Sequence, residues 1–384
     1  MMQPGVLGRM AFSAILWALL ITALLAPGAS RAEPYLAVRT GQKCMACHVN
    51  PTGGGKRTEF GATYGQTALP AGRLDIATGK NVPATGAASE PAVWTGKLND
   101  HFAVGGDLRA TLQNTNIPNS SDTAAFNQTT AQIYLEVKPI VDRLTVYIDE
   151  HLASGAASAR EAFAMLWSSN RTAYVKAGRI FIPFGLRIED DSAFIRQVSG
   201  TTFNSSDDGV EGGLELGPWS AYLAVTNGAG GGAETNSGKQ VSGLVSFVRP
   251  EWRVGLSAST NSNNAADRNM QSAFAGLRTG PVSWLASGIY VTDEGASTGK
   301  LKQWTTLFEG NIEAAKGHNV KLTYEYYVPN DDLANNEQER YSAVWEYTPF
   351  QFTQFRLGVR KSNGIPQNNA QNTTQIFVQW HAFF

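Results

Sequence analysis

From residue 97 to the C-terminus the chain alternates apolar and polar side chains with a period of two. In "KLNDHFAVGGDLRATLQ" (97–113) the even positions hold Leu98, Phe102, Val104, Leu108, Ala110 and Leu112. The odd positions hold Lys97, Asn99, His101, Asp107, Arg109 and Gln113. A period of two puts the two sets on opposite faces of a strand. "QIYLEVKP" (132–139), "RLTVYIDEHL" (143–152) and "HNVKLTYEYYV" (318–328) repeat the pattern. These runs exceed the five or six residues that are typical of a soluble strand.

The connections between the runs alternate in kind. Tight turns such as "GPW" (217–219), "RPEW" (249–252), "TGPV" (279–282), "AKGH" (315–318) and "YTPF" (347–350) take turns with Asn-, Gly- and Ser-rich loops. The loops fall at 114–127, 227–238, 261–268, 330–338 and 362–372. Short turns at one end and long polar loops at the other predict an all-β fold: a transmembrane outer-membrane β-barrel of about 16 antiparallel strands. The count carries a margin of about two strands, because 155–185 alternates poorly. Trp94, Trp219, Trp252, Trp284, Trp345 and Trp380 lie near tight turns or barrel ends, where a membrane-interface girdle belongs. The closing run "TQIFVQWHAFF" ends on an aromatic, as bacterial outer-membrane proteins do. Thirty-nine glycines and only 16% charged residues suit such a barrel.

The N-terminal part reads differently. Arg9 precedes "MAFSAILWALLITALLA", and Ser30 and Ala32 form a small-x-small site, so residues 1–32 are expected to be a secretory signal peptide cut before Glu33. The apolar run is shorter than the ~20 residues of a spanning helix. Residues 73–93, rich in Ala, Gly, Pro and Thr, read as a linker between a segment at 33–72 and a barrel at 94–384. A balance of 31 basic to 32 acidic residues gives no nucleic-acid footprint.

The chain's two cysteines sit in "KCMACHVNPTGGGKR" (43–57). Cys44, Cys47 and His48 form the CxxCH pattern of covalent haem attachment: two thiols add to the two vinyl groups of one porphyrin, and the adjacent imidazole becomes the proximal axial ligand. A redox disulfide is the rival, but no βαβ pattern surrounds it. The expectation is one covalent haem c. About 40 residues are too few to wrap a porphyrin, so the segment is expected to plug the barrel and borrow its walls. Between Val49 and Asp100 there is no His or Met to serve as the sixth ligand. His101 and His381 both carry lumen parity on the first and last strands, near the periplasmic mouth, and are the distal candidates. His151 is expected in the lumen near the outer end of its strand, His318 in a turn, and Met165 and Met270 on undecided faces. Gly53 to Gly55 are expected to bring backbone close to the porphyrin edge, Phe60 and Tyr64 to pack on its face, and Lys56 and Arg57 to meet its propionates.

The segment "PFGLRIEDDSAFIRQVSGTTFNSSDD" (183–208) is the longest break in the β pattern and reads as an inward constriction loop. Glu189, Asp190, Asp191, Asp207 and Asp208 would attract cations such as ferrous iron, opposed by Arg187 and Arg196.

A CxxCH segment behind a signal peptide, then a single porin-like barrel, resembles the fused monohaem cytochrome–porins of iron-oxidising bacteria. The residues carrying the resemblance are Cys44, Ala46, Cys47, His48 and the Phe60-Gly61 pair; "VNPTGGGKR" departs from the family pattern. The resemblance implies an outer-membrane electron-transfer protein, acting in such bacteria as an extracellular iron oxidase. Its partners would be outer-membrane lipid, an extracellular redox partner or metal ion, and a periplasmic c-type cytochrome. "GRIFIPFGLRIEDDSAFIR" (178–196) also looks like anion-selective porins, which keeps a passive porin with a haem-bearing gating or sensing segment as the alternative.

Overall fold

The computed structural model describes residues 33–82, 92–152, 158–262, 266–295 and 299–384. The signal peptide expected at 1–32 and residues 83–91 of the linker lie outside the described residues. Sixteen strands run from β1 (Phe102–Asn116) to β16 (Thr374–Phe383), each antiparallel to its neighbours in sequence, and β1 pairs with β16 to close the barrel. The closure register sets Arg109 opposite His381 and Leu112 opposite Val378. The fold is therefore the predicted transmembrane-type barrel, with no open edge left for aggregation.

The faces are inverted relative to a soluble protein. Along β9 (Trp252–Ser262), Trp252, Val254 and Leu256 are exposed while Arg253, Ser257 and Ser259 are buried. Along β6 (Asp207–Leu216), Val210, Leu214 and Leu216 face out and Glu211 and Glu215 face in. The outward apolar side chains need lipid, and the inward polar ones pair across the lumen. Near the tight turns, Trp219, Phe247 and Trp252 pack at 4.7 and 5.4 Å, and the stacked rings of His318, Trp345 and Tyr347 form a second cluster on the same rim. His318 thus belongs to the aromatic girdle.

Several boundaries move. The first strand begins at Phe102, not near Lys97, because Asn99 accepts the backbone N–H groups of His101 and Phe102 and bends the chain first. The loop expected at 114–127 shortens to 117–122, since both flanking strands reach further out. The poorly alternating stretch holds two strands, β4 (Ser158–Trp167) and β5 (Ala173–Ile180). Alternation fails there for a physical reason. Phe163, Met165, Trp167 and Tyr174 point inward, join Tyr134, Tyr147 and Tyr222, and meet Met45 and Val49 of the N-terminal segment. The lumen wall is apolar in that sector because it is a packed core.

A second lumenal core lies across the barrel. Helix α1 (Pro34–Thr40) contributes Tyr35, Leu36 and Val38, and the 181–206 loop contributes Ile182, Phe184, Leu186, Ile188, Ile195 and Val198. Both pack on Met270, Phe274, Leu285 and Leu307 of the wall. Met165 and Met270, undecided from sequence, both face inward.

Candidate functional site

The N-terminal segment enters from the end of the barrel that carries the short turns. Ala71 and Gly72 donate N–H groups to the Thr348 and Pro349 carbonyls, and Lys43 pairs with Glu215 at 2.8 Å and donates to the Trp219 carbonyl. Helix α2 (Cys44–Cys47) is a single turn, so Cys44 and Cys47 share one face, and His48 caps it by donating its N–H to the Cys44 carbonyl. The chain then reverses: Val49 donates to the Lys56 carbonyl, Thr58 donates to the Cys47 carbonyl, and His48 bridges Arg57.

Glycine is required in this reversal. Gly53, Gly54 and Gly55 all adopt left-handed φ angles of 91°, 90° and 66°. A Cβ on Gly53 would lie 3.5 Å from the Cys44 Sγ, and one on Gly55 would lie 2.2 Å from the Tyr147 hydroxyl. Helix α3 (Glu59–Thr67), N-capped by Thr58, lies so close to α2 that a Cβ on Gly61 would sit 2.3 Å from the Cys47 carbonyl oxygen. The wall fixes the loop in turn. Buried Asn50 donates to Glu161 at 2.8 Å and accepts from Lys176, which pairs with Glu211 at 2.9 Å.

Cys44, Cys47 and His48 open on a cavity of about 890 Å³ inside the barrel, within the ~300–1,000 Å³ range of small-molecule sites. Both cysteines are free thiols. Burial and the neighbouring Cys44 push the Cys47 thiol up to about 11. Burial and the Arg57 charge pull His48 down to about 4, so its imidazole is neutral at physiological pH and has a lone pair to offer a metal. Its Nδ1 is buried without a hydrogen-bond partner among the described residues, a costly condition that ligation or a bound group relieves. Free thiols on one face, a neutral imidazole with one unpartnered ring nitrogen and a cradle that excludes Cβ atoms together fit a haem c.

The two distal candidates separate. His381 lies on the cavity wall, 6% exposed, with Nε2 2.9 Å from Asp107 and Nδ1 3.3 Å from Gln354. His101 does not reach the cavity. It precedes β1, is exposed at the rim, and its Nδ1 sits 2.7 Å from the Lys138 carbonyl oxygen. The parity that assigned it to the lumen applies only within a strand, and the strand starts one residue later. His151 lines the cavity, as its parity indicated, and its Nε2 has no partner among the described residues.

The expected porphyrin contacts also divide. Tyr64 is buried on the cavity wall, whereas Phe60, four residues earlier, is about half exposed and turned away. Lys56 is spent in a buried pair with Glu136 at 3.2 Å. Arg57 remains on the cavity, stacked over Phe383.

The 181–206 loop folds inward as expected, and most of its acids are paired, although Glu189 also groups with Glu33 and Glu346 closely enough to share a cation. Glu189 is held by Arg109 and Arg356, Asp190 by Arg360 and Arg340, and Asp191 by Arg196 at 3.1 Å. Asp208 pairs with Arg179, and Asp207 accepts the Gly228 N–H. Arg196 opposes Asp191 within the loop, as its sequence indicated, whereas the wall arginines that hold Glu189 and Asp190 lie on distant strands and a linear reading of the loop does not register them. The residues missed entirely are Tyr134 and Arg160, which wall the cavity, and Tyr147, which packs behind the glycine loop. Only Arg160 had a signal, the failure of alternation near 155–185.

No family model matches the chain, and no curated protein does. Solved structures do. OmpT of Vibrio cholerae, in a loop L8 deletion form, is 12% identical over 74% of this chain and 99% of its own, with a TM-score of 0.59. The anion-selective porin of Comamonas acidovorans is 11% identical over 74% and 99%, TM-score 0.59. The outer membrane channel DcaP of Acinetobacter baumannii is 11% identical over 74% and 97%, TM-score 0.58. At this identity the likeness establishes the porin-like barrel fold.

Proposed function

We propose that this is an outer-membrane electron-transfer protein of the fused cytochrome–porin type, carrying one haem c inside its barrel. The observation that supports this best is the meeting of Cys44, Cys47 and the neutral imidazole of His48 on one lumenal cavity. Bound haem supplies a reversible one-electron couple.

The chain's own residues do the rest. Cys44 and Cys47 supply the thioether links and His48 the proximal nitrogen. Asp107 orients His381, which would be the residue best placed to offer the iron a further nitrogen, since its Nδ1 holds only a long contact to Gln354. Tyr64, Tyr134 and the aromatic wall of β3 (Leu144–His151) to β5 exclude water. One haem spans a small part of a ~30 Å hydrocarbon layer. A periplasmic c-type cytochrome is therefore the partner at the short-turn mouth, where the segment enters, and an extracellular reductant is the partner outside. Ferrous iron remains a donor class to test; among the loop's acids only Glu189, grouped with Glu33 and Glu346, lies in a carboxylate set close enough to share a cation.

The porin alternative has one observation in its favour: Arg109, Arg340, Arg356 and Arg360 line the wall facing the inward loop. The anion-selective neighbour fits that reading. Proteoliposomes separate the two. Reduction of an enclosed cytochrome by an external, impermeant donor supports electron transfer. Solute flux without electron flux, from protein that lacks a covalent haem, refutes it.

A further inference from the structure

Most charged groups in the lumen are fully paired, but one cluster of arginines is satisfied only in part. Arg160 on β4 is 8% exposed, makes no hydrogen bond or ion pair among the described residues, and rests over the ring of Phe203. Arg196, in helix α4 (Phe194–Ser199), is 1% exposed and lies 4.7 Å over the same ring. Only its Nη2 is engaged, by Asp191, which leaves Nε and Nη1 without partners. Arg187 caps the adjoining Phe181 at 4.6 Å, donates to the Gly53 and Ile182 carbonyls, and leaves its Nε buried and unpartnered. Phe181 and Phe203 meet edge to face at 5.7 Å, so the three guanidinium groups share one aromatic platform.

Nearby carboxylates cancel them only in part, through the Arg196–Asp191 pair. Asp191 accepts from the Phe203 N–H as well as from Arg196. Asp149 accepts from Gln132, and Glu161 accepts from Asn50 and the Phe181 N–H. Burial and the Arg187 charge pull Arg196 down to about 10, a mutual repulsion that an anion would relieve. A buried guanidinium without a partner is costly, and guanidinium forks suit carboxylates. The platform adjoins the haem-binding loop. Arg187 Nη1 is 3.4 Å from the Gly53 carbonyl oxygen, and a Cβ on Gly54 would touch Phe203 at 3.8 Å.

We propose that Arg160, Arg187 and Arg196 form the carboxylate-binding edge of the cavity and hold the two propionates of the haem. This rests on the haem reading above and adds to it an orientation: the propionate edge faces the inward loop, and the thioether edge faces the short-turn mouth. The loop then clamps the cofactor from outside. Lys56, the lysine next to the motif, takes no part because Glu136 holds it.

The test uses full-length protein purified from its host membrane, as wild type and as Arg160→Gln, Arg187→Gln and the charge-keeping Arg160→Lys and Arg187→Lys. Removing a positive charge beside the couple favours the ferric form. Each Gln variant should lower the reduction equilibrium about tenfold, which is about 59 mV for one electron. Each Lys variant should stay near wild type, and propionate bands in the resonance Raman spectrum should move with the Gln changes. If the Gln variants destabilise the barrel, the same Raman bands in the Lys variants decide, because exchanging a fork for a point charge alters carboxylate hydrogen bonding. Haem present in every variant with unchanged potential and bands overturns the orientation while leaving the haem reading intact. Unchanged potentials together with phosphate-sensitive conductance that Arg160→Gln abolishes would assign the cluster to a permeating anion. Wild type without haem removes both readings.

Discussion

Two sectors of the same lumen are built on opposite principles. From β3 to β7 (Trp219–Thr226) the inner wall is aromatic, with Tyr147, Phe163, Trp167, Tyr174 and Tyr222 packed together and Met45 and Val49 of the cysteine segment against them. From β13 (His318–Val328) round to β1 the inner wall is ionic: Lys321 meets Glu33 and Glu346, Arg356 meets Glu189 and Glu346, and Arg340 meets Glu325. The first sector resembles the interior of a soluble domain, and the second a wet pore. The cysteine segment docks on the dry side, whose low-polarity wall would suit the proposed porphyrin. The inward loop is tied to the wet side by ion pairs. The contrast teaches that the barrel lends its lumen to two tasks, sheltering a plug and positioning a clamp.

The largest effect that would break this contrast comes from Cys44→Ser with Cys47→Ser. Covalent haem and transmembrane electron flux should vanish while the barrel keeps its β-sheet circular dichroism; retained covalent haem would dissociate the motif from attachment. Next, Lys176→Met should cost about 3–5 kcal/mol, because it strands the buried Glu211 carboxylate on the dry side. Denaturant midpoints measure this, and Lys176→Met paired with Glu211→Leu should recover most of the loss.

Gly61→Ala is expected to cost about 1–3 kcal/mol of plug docking, since its Cβ must displace α3 from the Cys47 carbonyl. Faster proteolysis of the 33–72 segment, with the barrel intact, reports it. The smallest effect concerns pH. Burial alone raises the Asp190 carboxyl, but Arg360 and then Arg340 hold it well below the usual carboxylate range. A depressed carboxylate contributes stability that is full above its unfolded value of ~3.9 and lost as pH falls below it. Single-channel conductance should therefore be flat from pH 8 to about 5 and rise only below about 4 as the loop releases. A rise near pH 6 would mean that another group holds the loop.

The barrel was legible because lipid outside and ion pairs inside impose a strict period of two, as β6 and β9 display. That Cys44, Cys47 and His48 meet on one cavity was legible because they lie within five positions of one another. His381 could be found by parity because it lies inside a regular strand, and His101 could not be placed because the strand had not yet begun. The pairing of Glu189 and Asp190 was not legible for a different reason: their partners Arg109, Arg356, Arg340 and Arg360 lie on strands far away in the chain, and only barrel closure brings them together. Arg160 was hidden in the stretch where alternation fails, and that failure is itself the imprint of the plug on the wall that receives it.

The most direct measurement is an anomalous-scattering map of the purified protein at the iron absorption edge. One iron peak inside the lumen, between His48 and the 181–206 loop and within ligand distance of His381, is the predicted result. No iron peak, or a peak outside the barrel, would contradict the account.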